Sequence, residues 1–349
     1  MKKIALGLCI LALLCLTEVS AQIGGRHVYD FLTLSPSARV VALGGVNIST
    51  LDDDVNLAAQ NPGLLNDSMH RQATLSWSNY LTDIKYGYAA YAHTFEKIGT
   101  VHMGVQFLDY GTLQGADVFG NLTGEFSAGE YAVYIGAARS YKRFSYGANL
   151  KFISSTLGPG YTSAGVALDL GGSYYSKSRL FSAGLVVKNM GTQLSTYIGN
   201  ANREPLPFEI QAGISNKLKY MPLRFSITAS NLDQFDLIYE DPNAEPVFDL
   251  AGNEVPPKDQ TIDGIFRHFV FGTEFLLGRN LRLRGGYNHL RRRELASENR
   301  GGLTGFSMGI GIRVKRIAFD YGFSSYGVNS RFQAHQFSLA YNLKKAEEG

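Results

Sequence analysis

Gly305-Phe306-Ser307-Met308-Gly309 has the spacing that serine hydrolases use around a nucleophile, which must sit on a sharp turn from strand to helix. Here the five residues lie inside an alternating, strand-like stretch with no helix behind it. With 39 glycines in the chain, such a pattern arises easily by chance. The seven histidines are scattered and lack the spacing of a zinc site. Asp52-Asp53-Asp54 supplies oxygen atoms but not the glycine-turned spacing of a calcium loop, so it reads as a solvated turn. Catalytic, cofactor-binding and metal residues are therefore expected to be none.

Recognition chemistry is better supplied by two outer connections. Residues 235–264 mix acids with Leu237, Ile238, Tyr239, Val247, Phe248 and Leu250, and four prolines stiffen the stretch. Apolar groups with a polar rim suit a protein interface; a loop folded over its own scaffold has the same composition. Arg291-Arg292-Arg293 could pair with phosphate or carboxylate groups of lipopolysaccharide or a partner, or simply anchor the chain at an interface.

The elements that must hold these residues begin with an export signal. Lys2 and Lys3 precede an apolar run from Ile4 to Leu16, and Val19-Ser20-Ala21 offers a cleavage site, so 1–21 reads as a signal peptide. Cys9 and Cys15 both fall inside it. Ala12-Leu13-Leu14 lacks the small residues expected before a lipidated cysteine, and the mature chain has no thiol for disulfides, catalysis or metals. Of 33 basic and 30 acidic residues, 31 and 29 remain after Lys2, Lys3 and Glu18 are removed. That balance gives no polybasic field for nucleic acid. No later stretch approaches the roughly 20 apolar residues of a membrane helix, so membrane insertion must use strands.

From Gln72 onward fourteen strand-length segments recur, without a convincing helix: 72–80, 84–95, 98–117, 122–141, 143–157, 160–176, 179–192, 206–218, 222–234, 265–278, 280–292, 301–314, 316–326 and 332–343. Every second connection is short and mostly cationic, and the three longest all fall on the alternate set. That sorting is expected of an outer-membrane barrel with tight periplasmic turns and long outer loops. Large residues alternate with small or polar ones, as in Ile84-Tyr86-Tyr88-Ala90, Val101-Met103-Val105-Phe107 and Ile317-Phe319-Tyr321-Phe323, with the large side facing lipid. A soluble sandwich or barrel shares the period of two but not the export signal or the loop sorting. Phe337, Leu339, Tyr341 and Leu343 form one face of the last strand, which must close on the first so that no edge is left unpaired in lipid.

Residues 22–71 do not alternate and carry helix, turn and glycine signals instead, which suits a hatch inside the barrel. Asn61-Pro62-Gly63 resembles the hatch motif of the FadL family of fourteen-stranded outer-membrane barrels. A longer series is similar in order and spacing to the PorV/PorQ group of type IX secretion proteins, and the length and ending are most like its PorQ branch. It comprises Ser37-Ala38-Arg39, Leu43-Gly44-Gly45, Gln60-Asn61-Pro62, Ala138-Arg139, Lys151, Asp169-Leu170-Gly171 and Lys188-Asn189-Met190-Gly191.

The expected fold is thus all-β, a 14-stranded antiparallel transmembrane β-barrel (72–343) with an amino-terminal hatch (22–71) and a short periplasmic tail (344–349). The resemblance implies a noncatalytic subunit of the attachment complex, set in outer-membrane lipid and lipopolysaccharide, that anchors a PorZ-like surface partner beside PorU and PorV. Architecture alone leaves a FadL-like channel for hydrophobic small molecules as the alternative.

Overall fold

The computed structural model describes residues 27–79, 84–199, 202–238, 260–295, 302–327 and 333–343. The signal peptide and the carboxy-terminal tail read from the sequence lie outside these residues. Fourteen strands form one closed antiparallel sheet, each pairing with its neighbours in the chain and the last with the first. They are β1 Gln72–Asn79, β2 Lys85–Phe95, β3 Gly99–Ala116, β4 Leu122–Tyr141, β5 Phe144–Gly158, β6 Tyr161–Tyr175, β7 Phe181–Ser195, β8 Glu209–Lys217, β9 Leu223–Ala229, β10 Phe269–Leu277, β11 Leu281–Asn288, β12 Phe306–Val314, β13 Ile317–Ser325 and β14 Gln333–Asn342. Closure is in direct register, Gln72 opposite Asn342 and Asn79 opposite His335. No sheet edge is left to seek a partner in hydrocarbon.

Burial alternates along the wall with a period of two. In β14, Ala334, Gln336, Ser338 and Ala340 are buried, whereas Phe337, Leu339 and Tyr341 stand 40–48 % exposed. Large apolar groups outside and small polar groups inside are the arrangement a bilayer requires. The second strand departs from the expected pattern: Tyr86 and Tyr88 are buried inside. They pack with the amino-terminal segment and with Tyr134, so bulk is needed on the inner face there.

The wall is uneven in height. Strands β3 to β7 have 15 to 20 residues and β8 to β14 have 7 to 10. About 9–11 residues cross the hydrocarbon, so one side of the barrel rises well past the other at the long-hairpin end.

Two short helices, absent from the expected pattern, replace strand ends at the same end: α3 Thr261–Arg267 before β10 and α4 His289–Leu295 after β11. Among the described residues, α1 Ala38–Ala42 and α2 Leu57–Gln60 precede them, both in the amino-terminal segment. There α1 packs on β11 to β14, while the 3-10 turn Pro62–Leu64 packs on β4, β5 and β6. A segment touching both sides of a closed sheet on its buried face occupies the lumen. Ser37 starts α1 by accepting the Val40 N–H, and Ala38 N donates to Ser338 on the wall at 2.8 Å. Apolar contacts fill the rest. Val28, Tyr29, Phe31 and Leu32 pack on Tyr86, Leu108 and Ile153 toward the long-hairpin end. Val40, Leu57 and Leu64 meet in one cluster of the inner segment, and Val55, Leu65 and Met69 pack on Tyr88 and Ala138.

Candidate functional site

The lumen holds the densest chemistry of the molecule. Arg39, on α1, is 2 % exposed and contacts Asp52 at 2.9 Å, Glu274 of β10 at 3.1 Å and Asp54 at 3.3 Å. Arg224 of β9 joins Asp52 and Glu274 at 3.1 and 2.9 Å, and Arg284 of β11 reaches Glu274 at 2.9 Å and extends the chain of charges to Asp320 of β13. Arg313 grips both oxygens of Asp53 at 2.6 and 2.9 Å. The aspartate triplet is therefore no solvated turn. It is the inner half of an ion-pair lattice whose outer half is built from wall strands, and each buried charge there has an opposite partner as burial demands. Among the described residues no cluster of histidines and acids is arranged to hold a metal.

A second buried pair lies across the lumen on β5 and β6. Lys151 Nζ is 2.8 Å from Asp169 and donates to Asn189 Oδ1 at 2.7 Å. Asn189 adopts φ 57° at a bulge where the β6–β7 register shifts, its N–H donating to Asp169 and its side-chain amide to the Pro207 carbonyl. These are residues of the sequence series quoted above, now gathered in one place: a lysine neutralises the carboxylate that pins the bulge.

Asn61 is fully buried and fixes the turn around it. Its side-chain oxygen accepts the Gly63 N–H, and its amide donates to the carbonyls of Ile48 and, at 3.2 Å, Gly172 of β6. The wall is smooth where this turn presses. A Cβ on Gly171 would lie 2.0 Å from Asn61 Oδ1, and one on Gly147 2.7 Å from the Pro62 carbonyl. Around the same glycines the wall forms an apolar hollow of about 670 Å³ lined by Ile98, Tyr146, Leu170 and Leu185, the last three exposed side chains of the outer face.

Ser307 sits on β12 facing inward, and its hydroxyl donates to the Ala42 carbonyl at 3.2 Å. It caps a helix end, and among the described residues its hydrogen bond goes to that backbone carbonyl rather than to a base, so the pattern reads as a packing contact. At the long-hairpin rim, Leu237 and Ile238 are half-buried. Ile238 lies against Gly264 of α3, and Arg267 donates to the Leu237 carbonyl at 3.0 Å. Tyr239, Val247, Phe248 and Leu250 lie outside the described residues.

The arginine triplet is on α4, and each member has an internal contact. Arg291 donates to Ser324 at 2.6 Å and stacks over Tyr326, Arg292 donates to the Gly302 carbonyl at 2.9 Å, and Arg293 meets Asp263 at 2.7 Å. Asp263 also receives Arg267 and His289, each at 3.0 Å. Burial pushes its pKa up, but these hydrogen bonds win and hold it at about 2. Other exposed apolar groups mark this end, notably Val118 and Phe119 at the β3–β4 tip and Phe235, at 94, 87 and 92 % exposure. The sequence reading passed over the first pair, although their position between two long alternating strands marks a hairpin tip.

No family model matches the sequence, and no curated protein matches it. Solved structures do. The P. putida toluene transporter TodX is similar at 12 % identity and a TM-score of 0.51, with 89 % of this chain and 99 % of that one covered. A Pseudomonas aeruginosa FadL homologue is similar at 9 % identity and a TM-score of 0.50, with 88 % and 98 % covered. At such identities the likeness shows the fold alone, a closed 14-stranded antiparallel barrel like those of these two proteins. It does not reach the type IX secretion resemblance.

Proposed function

We propose that this chain is a noncatalytic outer-membrane barrel, its long hairpins outside and its tight turns periplasmic, that anchors a surface partner. In the terms of the sequence resemblance it is the PorQ-type subunit of a type IX attachment complex, with a PorZ-like partner and with PorU and PorV alongside. The observation that supports this reading is the packing of the amino-terminal segment on the buried faces of both β4–β6 and β11–β14, where it would act as a hatch. The hollow at the tight-turn mouth, lined by Asp52, Asp67 and Tyr175, and the hollow at the opposite mouth, lined by Asp30, Phe208 and Leu290, share no lining residue. Between them lie the ion-pair lattice and the Val40, Leu57 and Leu64 cluster. A barrel closed in this way is suited to holding something, and its exposed apolar tips offer the contact.

A second reading, a channel for hydrophobic small molecules, is the one the structural comparisons favour, since the similar barrels include a toluene transporter. The apolar hollow at the glycine patch also supports it, because only one layer of backbone separates that hollow from the Asn61-Pro62-Gly63 turn. One pair of measurements separates the two. The tagged protein is recovered from its native outer membrane in mild detergent, with and without residues 235–264 shortened, and the purified barrel is tested in liposomes for uptake of labelled toluene. A large exported protein lost on shortening the loop, with no uptake, supports the anchor. Uptake by a barrel that purifies alone supports the channel and discards the anchor.

A further inference from the structure

The near balance of charge over the whole chain conceals a polarity between the two ends of the barrel. Each of the six tight turns carries an exposed cation: Lys97, Arg143, Arg179, Lys219, Arg279 and Lys315 in chain order. Three of the turns carry a second cation, Lys142, Lys177 and Arg316, and within the six the sole acid is Glu96. None of the six named cations forms an ion pair among the described residues. The long-hairpin end, by contrast, exposes both signs, with Asp117, Glu125 and Asp236 beside Arg203 and Arg293.

Two further observations give this ring a purpose. Lys142, Arg179 and Lys315 adopt left-handed backbone conformations, with φ of 56°, 55° and 53°. Glycine or asparagine would take those positions with less strain, so a long cationic side chain is held where the backbone does not favour it. Large aromatic side chains flank the turns on the lipid-facing surface, with Phe95, Tyr141, Phe144 and Tyr220 exposed by 47 to 88 %. The cations of Lys142 and Lys219 lie over Tyr141 and Tyr220. An aromatic belt sits at the level of lipid headgroups, which places the cations just beyond it, at the depth of the phosphates.

We propose that this rim is a binding ring for anionic phospholipids, whose headgroup phosphates pair with the turn cations all around the barrel. The occupant follows from the geometry. A protein partner docks on one patch, whereas these cations recur at every tight turn of a closed sheet and so match an annulus of lipid. Lysine and arginine beside a bilayer concentrate anionic lipid, and the turns themselves offer only Glu96 as a competing acid, although Arg179 also borders the hollow that Asp52 and Asp67 line. The ring is independent of whether the barrel anchors or transports.

The full-length barrel, reconstituted in phosphatidylethanolamine with a minority of phosphatidylglycerol, is extracted in mild detergent, and its retained lipids are quantified by mass spectrometry. Retained lipid is expected to be several-fold richer in phosphatidylglycerol than the bilayer, with the enrichment falling as salt rises. The variant Lys142→Gln/Arg143→Gln/Lys177→Gln/Arg179→Gln/Lys315→Gln, which takes cations from three of the six turns, should lose at least half of the enrichment. Lys142→Arg/Lys177→Arg/Lys315→Arg should keep the enrichment, with heat-modifiable migration reporting the fold of both. A wild-type ratio equal to that of the bilayer, which is also the result if the ring serves an acidic protein, overturns the proposal. So does enrichment indifferent to salt or unchanged by the glutamine substitutions. The salt series needs only the wild-type chain, so the test survives a variant that fails to fold.

Discussion

Glu274 is the residue on which most of the lumen's charge converges, because Arg39, Arg224 and Arg284 all lie within 3.1 Å of its carboxylate. Replacing one member of a buried ionic set leaves its partners without compensation, at a cost of roughly 3–5 kcal/mol. Glu274→Gln keeps the shape and removes the charge, so we expect a loss of that size in urea unfolding of the detergent-folded barrel. Arg39→Met should loosen the amino-terminal segment more than the wall, since Arg39 is the arm that the segment itself contributes. Ser307→Ala tests the opposite case. With one hydroxyl-to-carbonyl bond at stake, a change of about 1 kcal/mol is expected, and any esterase background in the preparation should be unaltered. A fall in such activity on Ser307→Ala would contradict the packing role.

At the scale of elements, the helices α3 and α4 are tied by one carboxylate. Asp263 joins Arg267 of its own helix to His289 and Arg293 of the other. Its folded pKa of about 2 is below the ordinary aspartate value near 3.9. The linkage is therefore present above the unfolded pKa and lost as pH falls through the folded one. Amide exchange in 261–295, corrected for intrinsic rates, should show protection that holds at pH 6 and declines between pH 4 and 2, and Asp263→Asn should flatten that dependence. Neither helix was legible in the sequence. Each spans only seven residues and runs directly into a strand, so the alternation of its neighbour masks it, and only the contact between the two makes them stable. The fourteen strands were legible because lipid outside and polar groups inside impose a strict period of two on every one. Tyr86 and Tyr88 broke the rule where the lumen needs bulk. The ion-pair lattice could not be read at all, since Arg39 and Glu274 are 235 residues apart and only closure of the sheet brings them together. The Asn61-Pro62-Gly63 turn was readable as a turn, but not its seat on the wall.

For the whole molecule, the decisive property is that wall and inner segment are matched surfaces rather than a tube and a loose stopper. Gly184 faces Ile48 so closely that a Cβ would meet its carbonyl oxygen at 2.1 Å. Gly184→Val must then push the segment away or bend the strand, and overpacking of this kind costs about 1–3 kcal/mol. Because Gly184 is laddered on both sides, opposite Ser173 of β6 and Gly213 of β8, the segment is the part that yields. In planar bilayers the wild-type barrel is expected to conduct almost no ions, since the charged lattice and an apolar cluster of the described residues lie inside it. Gly184→Val should add brief openings, and deletion of 27–69 should leave a steady pore if the strands still close. That ordering depends on the segment being both the seal and the weaker partner. A wild-type barrel that already conducts steadily would mean the segment leaves room beside it, and the anchoring role would then lose the observation on which it rests.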